Sequence, residues 1–391
     1  MHATLPRLAT APTPAIAFNP EIERALRAGA HIVYSLSGGK DSSAAAFATQ
    51  PWLDSIGHPR DRRHAIHADL GTIEWRSTEP FVREVAQRLS VPLHIVRRKA
   101  GGLIPRWRQR WKGSLARYTA LETYQLVSPW SSSSLRFCTS ETKVAPIGSH
   151  LKRILAGETI ISVIGIRAEE SASRANAPLV KHDTRFAAPG NRAGTTMLSW
   201  HPILHWSTEQ VFAAHAATGF PLHEAYGMGA TRLSCSYCVL ASLHNLTISA
   251  QAPGNTPAFR EIVDIETTSG FSFQSGRWLA DVAPHLLEAV TLAELGRAKI
   301  LAELRRSLEA ALPADLRFCR GWPPRIPDIS EAGIIADVRA RLLGTLNLAN
   351  RYPRPRDVRD RFAQLHRALQ AGAQAGGARL TGAPRTQMRR R

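Results

Sequence analysis

The 391-residue sequence has only four cysteines, too few for a disulfide scaffold in a chain of this length. It also lacks any uninterrupted apolar run near the roughly 18 residues that a membrane-spanning helix needs. Its first residues lack the apolar segment of a secretory signal. We therefore expect a reduced, cytoplasmic protein with no membrane role, in which a large apolar core provides the stability.

Lysine is scarce as well. Only seven of the 50 basic residues are lysines and the rest are arginines; with 31 acidic residues the formal net charge is +19. Arginine binds phosphate through two parallel hydrogen bonds, so this composition suits nucleotide or nucleic-acid partners. A general preference for arginine on a solvated surface would give the same composition, and both interpretations stay open.

Apolar runs alternate with helical patterns over the first 250 residues. Strands are predicted at residues 31–36, 63–68, 93–96 and 160–166, and helices at residues 21–28, 42–48 and 79–89. This alternation predicts an α/β fold with a mostly parallel sheet flanked by helices. From about residue 256 the pattern is helical, notably over residues 287–311 and 335–346.

Four segments follow from these patterns. We predict a loose N-terminal segment at residues 1–20, a nucleotide-binding domain at 21–250 and a helical C-terminal domain at 255–369. Residues 370–391 contain Gly, Ala and Arg with almost no large apolar residue, so a flexible basic tail is expected there.

A glycine-rich loop lies between the first predicted strand and the next helix. It consists of Ser37, Gly38, Gly39, Lys40, Asp41, Ser42 and Ser43. A glycine pair lets the backbone approach an anion, and the following helix directs its N-terminal N–H groups at that anion. Lys40 adds a positive charge and the serines add hydroxyls, whereas Asp41 would repel phosphate unless it binds Mg²⁺ or orders the loop. The loop is not a Walker A motif, because Asp41 stands where that motif has Ser or Thr.

This loop resembles the SGGxDS loop of the PP-loop superfamily, whose ATP pyrophosphatases carry it between a strand and a helix. Four further segments, in order, resemble the 3′-phosphoadenylylsulfate (PAPS) reductase family. They are His67–Thr72, Arg136–Pro146, Gly165–Arg174 and Pro202–Cys238. The resemblance covers residues 30–245 and is strongest to iron–sulfur, phage-type and DNA phosphorothioation-type members. It implies an adenine nucleotide alpha hydrolase-like fold.

The resemblance also implies roles for single residues. Asp69 would contact ribose, adenine or a metal, and Lys143 would steady a triphosphate together with Mg²⁺. Arg167 and Arg174 would bind phosphate or sulfate, with Glu170 orienting one of them. The candidate catalytic residues are Lys40, Asp41, Lys143 and Arg167. The candidate nucleotide-binding residues are Ser37, Gly38, Gly39, Lys40, Asp41, Ser42, Ser43, Asp69, Gly165, Arg167, Glu170, Arg174 and Arg232.

The cysteines are candidate metal ligands. Cys235 and Cys238 form a Cys-x-x-Cys pair, and with Cys138 they could ligate an iron–sulfur cluster or zinc. In cluster-bearing members of the family a Cys-Cys pair and a later Cys-x-x-Cys supply four thiolates, but Phe137 stands at the first of these places. Cys319 is a candidate fourth ligand. A [4Fe–4S] cluster, zinc and unligated thiols remain as alternatives.

Some aromatic and histidine positions allow two interpretations. Residues 106–112, Arg-Trp-Arg-Gln-Arg-Trp-Lys, interleave cations with aromatic rings and could follow a nucleic-acid backbone. Trp107 and Trp111 are also four residues apart, as on the buried face of a helix. Trp206, Val211 and Phe212 are predicted to pack in the core, and His201 and His205 to be structural.

Three functions agree with these observations. The first is ATP cleavage between the α- and β-phosphates, with adenylation and sulfur transfer, onto DNA or RNA as a candidate acceptor and with a sulfur donor protein. The second is a cluster-bearing sulfonucleotide (APS/PAPS) reductase that needs a reductant. The third is a non-catalytic nucleotide-binding accessory module. Thioredoxin-dependent members of the family use a cysteine near the C-terminus, and the last 72 residues contain none.

Overall fold

A computed structural model describes residues 14–319 and 321–381, with side chains up to residue 371. Within this part of the chain, none of the helices combines the length and apolar character that a bilayer crossing requires.

Six strands form one sheet. They are β1 His31–Ser35, β2 Arg63–Asp69, β3 Leu93–Arg97, β4 Thr159–Val163, β5 Val180–His182 and β6 Thr196–Trp200. The spatial order is β3-β2-β1-β4-β6-β5, and every neighbouring pair is parallel except β5 with β6. The predicted mostly parallel α/β sheet is therefore confirmed, although β5 and β6 were not predicted.

Helices connect most of these strands and follow the last of them. They are α1 Pro20–Arg27, α2 Lys40–Ser55, α3 Thr78–Leu89, α4 Leu103–Thr119, α5 Phe137–Thr139, α6 Ala145–Ile154, α7 Ala172–Ala175, α8 Thr208–Thr218, α9 Glu224–Gly227, α10 Leu243–Gln251, α11 Thr256–Ser269, α12 Ala289–Glu309, α13 Ile329–Thr345 and α14 Pro355–Thr381. Ser140–Val144 forms a π-helical turn between α5 and α6. Such turns are frequent at functional sites.

The central strand β1 is buried on both faces, as expected for a parallel sheet covered by helices. Ile32 and Tyr34 belong to a core that includes apolar residues of α2, α3 and α8. Val33 points to the opposite face, where it joins a smaller core containing Leu151 of α6. The alternation follows the two-residue period of a strand, and β1 therefore holds the loop that follows it firmly in place.

The described chain divides into two compact units. The first comprises residues 14–106, 131–262 and 277–286, and the second comprises residues 107–130, 263–276 and 287–381. These bounds differ from the predicted ones, since residues 107–130 belong with the C-terminal helices. The second unit has its own apolar core, which includes Trp111, Ile335 and Phe362.

The predicted flexible tail also differs from the structure. Helix α14 continues to Thr381, so residues 370–381 are helical. The remaining tail residues, 382–391, and the first part of the predicted N-terminal segment, residues 1–13, lie outside the described residues.

Candidate nucleotide and thiol site

The glycine loop lies at the carboxyl end of β1 and leads directly into α2. Gly38 has φ +78°, a conformation that favours glycine. Gly39 is the N-cap of α2, which has no side-chain cap. The Ser42 hydroxyl donates to the Gly39 carbonyl at 2.9 Å. In the described part of the chain the N–H groups of Gly38 and Asp41 have no acceptor, so the loop offers donors at the positive end of a 16-residue helix.

The other serines of the loop bond within it. The Ser43 hydroxyl donates to the Gly39 carbonyl at 3.1 Å, and the Ser37 and Ser42 hydroxyl oxygens are 3.1 Å apart. These hydrogen bonds stabilise the turn. The hydroxyls predicted to bind phosphate therefore already have partners inside the loop.

Asp41 holds two cations in the loop. Its Oδ2 accepts from the Lys40 Nζ at 2.8 Å and its Oδ1 accepts from the Arg167 Nε at 2.6 Å. The Lys40 and Arg167 side chains are 5 % and 4 % exposed, and Asp41 is 16 % exposed. Because buried charges need close partners, Asp41 fixes both cations beside the loop. Of the two roles expected for Asp41, ordering the loop is the one that these contacts support.

Gly165 allows the Arg167 segment to approach the loop. A Cβ atom at Gly165 would lie 2.4 Å from the backbone carbon and oxygen of Asp41. No side chain fits in that space, so the backbone after β4 packs directly on the first turn of α2. The close approach brings Arg167 to Asp41, although 126 positions separate them in the sequence.

Acidic neighbours orient the two arginines of this segment. The Glu169 carboxylate accepts from an Arg167 guanidinium nitrogen at 2.5 Å. Glu170 pairs with the Arg174 guanidinium and accepts from the Arg167 backbone N–H at 3.2 Å. The expected pairing of Glu170 with an arginine is present in the structure.

Further arginines surround Arg174. Burial lowers the pKa of Arg174, and the positive charges of Arg232, Arg136 and Arg167 lower it further, against the opposing charge of Asp41. Arg136 and Arg232 are exposed and form no salt bridge with any carboxylate in the described residues. Around the loop, five cations therefore face three carboxylates. This surplus of positive charge suits a ligand with several negative charges.

Asp69 lies at the carboxyl end of β2 and pairs with Arg97 at the end of β3. Its Oδ1 also accepts from the Gly71 N–H at 2.7 Å. Asp69 thus orders the edge of the sheet beside the loop, and its predicted contact with a nucleotide or metal remains a prediction.

His67, two residues earlier, was not among the predicted site residues. Its Nδ1 donates to the Leu36 carbonyl at 2.9 Å, and its Nε2 lies 3.2 Å from the Glu74 carboxylate. Burial opposes the charge of this ring, but the Glu74 carboxylate outweighs burial and raises the pKa of His67. The His67–Glu74 pair links β2 to the start of the glycine loop.

Cys138, Cys235 and Cys238 are partly buried in the same region. Burial raises the pKa of the Cys235 thiol to about 12; the positive charge of Lys143 opposes the shift, and the charges of Cys238, Glu74 and Cys138 add to it. Lys143 therefore lies close enough for its positive charge to lower the pKa values of Cys235 and His67. Its predicted role on a triphosphate remains a prediction.

The side-chain arrangement gives the metal predictions no support. In the described residues, no group of three or more His, Cys, Asp and Glu side chains could hold a metal ion. Phe137, which stands at the missing cysteine position, is buried under the Arg106 guanidinium. Both carboxylate oxygens of Asp41 hold cations, so the loop offers no free carboxylate to Mg²⁺. The cluster, zinc and Mg²⁺ therefore stay predictions. Cys319 is exposed, in the second unit.

The aromatic predictions are settled by burial. Trp107 and Trp111 are 1 % and 9 % exposed, so they form the buried face of α4 and do not offer a stacking surface to nucleic acid. Trp206 and Val211 lie in the core as predicted. Phe212 is only half buried, and its ring lies 5.9 Å from the Lys40 Nζ, beside the loop rather than in the core.

The predicted structural histidines differ in exposure. His201 is buried, its Nδ1 donates to the Pro178 carbonyl at 2.7 Å, and burial lowers its pKa. His205 is exposed.

Two more residues of the site were missed. The His215 Nε2 donates to the Lys40 carbonyl at 2.8 Å. The Tyr226 hydroxyl accepts from the Lys40 N–H at 3.2 Å. Both are distant in sequence from the loop. For Tyr226 the family-like motif was a usable signal; for His215 the sequence carried none.

Three comparisons relate the chain to known proteins. The family model of the phosphoadenosine phosphosulfate reductase domain matches residues 31–241. An uncharacterized 37.8 kDa protein of Escherichia phage 186 is 24 % identical over 238 residues, which cover 54 % of this chain and 67 % of the phage protein. The PAPS reductase of Candida auris, solved as a phosphate complex, is 15 % identical with a TM-score of 0.35, and the match covers 55 % of this chain and 85 % of that one. The family match spans the glycine loop, Arg167 and Arg174, and the Cys-x-x-Cys pair, and the chain therefore belongs to the phosphoadenosine phosphosulfate reductase family.

Proposed function

We propose that the chain is an enzyme that binds ATP at the glycine loop and cleaves it between the α- and β-phosphates. An oxygen of the acceptor attacks the α-phosphorus, the bond to the β-phosphate oxygen breaks, and pyrophosphate leaves. A sulfur nucleophile from a donor protein then displaces AMP from the adenylated acceptor. The acceptor classes proposed are DNA and RNA, in keeping with the net charge of +19.

The observation that carries this proposal is the surplus of positive charge around a loop with open N–H groups. Lys40 and Arg167 are held beside the loop by Asp41. Arg136 and Arg232 have no carboxylate partner in the described residues. A triphosphate matches this surplus, since Arg167 and Lys40 would stabilise charge that develops as pyrophosphate leaves. The Asp41-containing loop also resembles ATP pyrophosphatase loops more than sulfonucleotide reductase loops.

A second candidate is sulfonucleotide reduction, in which the substrate is APS or PAPS and the product is sulfite. The family match favours it, as does the grouping of three thiols near Lys143, in which Cys138 and Cys238 act electrostatically on Cys235. It shares the same anion site and differs in the bond that breaks.

Product analysis on one protein sample separates the two candidates. The full-length chain, purified without oxygen, is incubated with ATP in the presence and absence of DNA or tRNA, and separately with PAPS and a dithiol reductant. With sulfide added as the sulfur nucleophile, we expect equal amounts of AMP and pyrophosphate from ATP, increased by the acceptor. Sulfite from PAPS without pyrophosphate from ATP would favour the reductase instead.

A double variant, Arg136→Gln with Arg232→Gln, tests the charge argument. It should slow pyrophosphate release about 100-fold or more, because two unpaired cations at the anion site are lost. The matched control is Arg83→Gln on α3, where an exposed arginine pairs with Glu79 one helical turn away. If the wild-type protein binds a nucleotide but changes neither, the enzyme proposal is wrong and the accessory-module alternative stands.

A further inference from the structure

The Tyr226 hydroxyl joins the glycine loop to the loop that carries the cysteines. It accepts from the Lys40 N–H at 3.2 Å and from the Leu233 N–H at 3.3 Å. Lys40 is the first residue of α2, and Leu233 lies two residues before Cys235. One oxygen atom thus contacts both parts of the site.

The loops also pack on each other around this hydroxyl. A Cβ atom at Gly38 would lie 3.3 Å from the Leu233 side chain, and one at Gly39 would lie 3.9 Å from the Tyr226 oxygen. A displacement of the glycine loop would therefore change its contact with the Leu233 side chain.

The phenol hydrogen of Tyr226 remains available. A phenol oxygen has two lone pairs and one hydrogen, and the two N–H groups use the lone pairs. Across the described ranges, the Tyr226 hydroxyl donates to no acceptor. Burial raises the pKa of Tyr226 to about 12, and the charge of Asp41 adds to the shift, so the hydrogen stays on the oxygen at neutral pH.

We propose that Tyr226 is a positioning residue that donates its O–H to a phosphate of the nucleotide bound at the glycine loop and transmits occupancy of that loop to the Cys235–Cys238 segment. The inference rests on the proposed nucleotide site and adds a residue to it. Tyr226 holds the Lys40 N–H and the Leu233 N–H in register. When phosphate enters, the hydroxyl hydrogen turns to it, and the loop before Cys235 moves with the oxygen.

Tyr226→Phe is the variant that tests this inference. It removes one oxygen atom and keeps the ring, which packs edge-on against Phe212 at 6.3 Å. The matched control is Tyr124→Phe in the second unit, where a buried tyrosine loses its hydrogen bond to the Pro313 carbonyl. Titration calorimetry with ATP and with inorganic pyrophosphate measures affinity, and thermal melting checks folding.

We expect Tyr226→Phe to melt within a few degrees of wild type and to bind ATP and pyrophosphate about tenfold or more weakly, as for a lost hydrogen bond to a charged group. Tyr124→Phe should bind like wild type. Equal binding by Tyr226→Phe and wild type would overturn the inference while leaving the proposed function intact. A wild-type protein that binds neither ligand would instead overturn the proposed function, and the phosphate contact with it.

Hydrogen–deuterium exchange tests the link between the loops in the unmutated protein. ATP should change the exchange rate of peptides that contain Leu233, and this change should be absent in Tyr226→Phe. Without any nucleotide, the variant should also exchange faster at Lys40 and Leu233, because both amides lose their acceptor. If these rates are unaltered, or if ATP changes the Leu233 peptide equally in both proteins, the link does not exist.

Discussion

The two ends of the sheet differ in their titratable side chains. At the carboxyl end of β1, charged side chains are paired, and Asp41 holds Lys40 and Arg167. At the amino end, four histidines of β1, β2, β3 and α6 form a row of half-buried rings. They are His31, His64, His94 and His150, with ring centroids 5.1 to 5.5 Å apart.

The histidine row favours neutral rings. The His31 Nδ1 and His64 Nε2 are 3.1 Å apart, and the His94 Nδ1 and His150 Nε2 are 3.3 Å apart. Burial lowers the pKa of His64 to about 4, and the charges of His31 and His94 contribute. At the carboxyl end the charges are paired beside the loop of the proposed anion site, whereas at the amino end burial favours the neutral form of these four rings.

Asp41 should show the largest effect on activity. In Asp41→Asn, Lys40 and Arg167 lose their shared carboxylate and their fixed positions beside the loop. We expect pyrophosphate release to fall about 1000-fold. Glu79→Gln, an exposed carboxylate on α3, is the control and should keep full activity. An active Asp41→Asn would show that the pairing at this end is structural only.

Gly165→Ala should have the next largest effect. The added methyl group would meet the Asp41 backbone at 2.4 Å, so Arg167 has to move away from the loop. A displacement of this order lowers activity about 100-fold, and overpacking costs about 1–3 kcal/mol of unfolding free energy. Steady-state kinetics and urea unfolding measure the two effects.

The control for Gly165 is Gly113→Ala in α4, where an added Cβ meets no atom within 4 Å. It should be as stable as wild type or more so, since alanine favours helix. Full activity in Gly165→Ala would mean that the close packing of Gly165 on the first turn of α2 is not needed for activity.

The cysteines allow a further comparison, between the thiols near the glycine loop and the thiol in the second unit. Cys138 acts electrostatically on the partly buried Cys235, whereas Cys319 is exposed. We expect Cys138→Ser to lower the complete sulfur-transfer reaction about tenfold or more, while pyrophosphate release stays near wild type. Cys319→Ser should leave both unchanged. Loss of sulfur transfer in Cys319→Ser would show that Cys319 takes part in the reaction.

The histidine row should affect stability rather than activity. Because the folded-state pKa of His64 is lowered from 6.5 to about 4, the unfolded chain binds the proton more tightly. The contribution of His64 is then complete above pH 6.5 and is lost as the pH falls toward 4. With partial solvent screening we expect a loss on the order of 1–2 kcal/mol.

Urea unfolding between pH 4 and 8 measures this loss. His64→Gln should flatten the profile over that window, and His182→Gln, an exposed histidine on β5, should not. A profile for His64→Gln that matches wild type would remove the contrast between the two ends of the sheet.

Elements formed by contiguous residues could be predicted from the sequence. Contacts that depend on how strands pair could not. Strands β1 to β4 are short apolar runs that stand out because parallel strands are buried on both faces. Strand β5 has only three residues, all at least partly exposed, so no apolar run in the sequence indicates it. The glycine loop was found because its residues are contiguous.

Contacts between distant segments were harder to predict. The Asp41–Arg167 pair spans 126 positions, and only the family resemblance placed Arg167 at the site. Tyr226 was visible as part of a motif, but its bond to Lys40 depends on how α9 packs. The histidine row could not be anticipated, because the pairing of β1, β2 and β3 brings these rings together.

The most direct test of the account is a crystal structure of the protein with α,β-methylene-ATP, in which the bond between the α- and β-phosphates resists cleavage. The account predicts the phosphates at the N-terminus of α2, within hydrogen-bond distance of the Gly38 N–H and in contact with Arg167 or Arg174. Phosphates bound elsewhere, or a glycine loop still empty at saturating nucleotide, would contradict it.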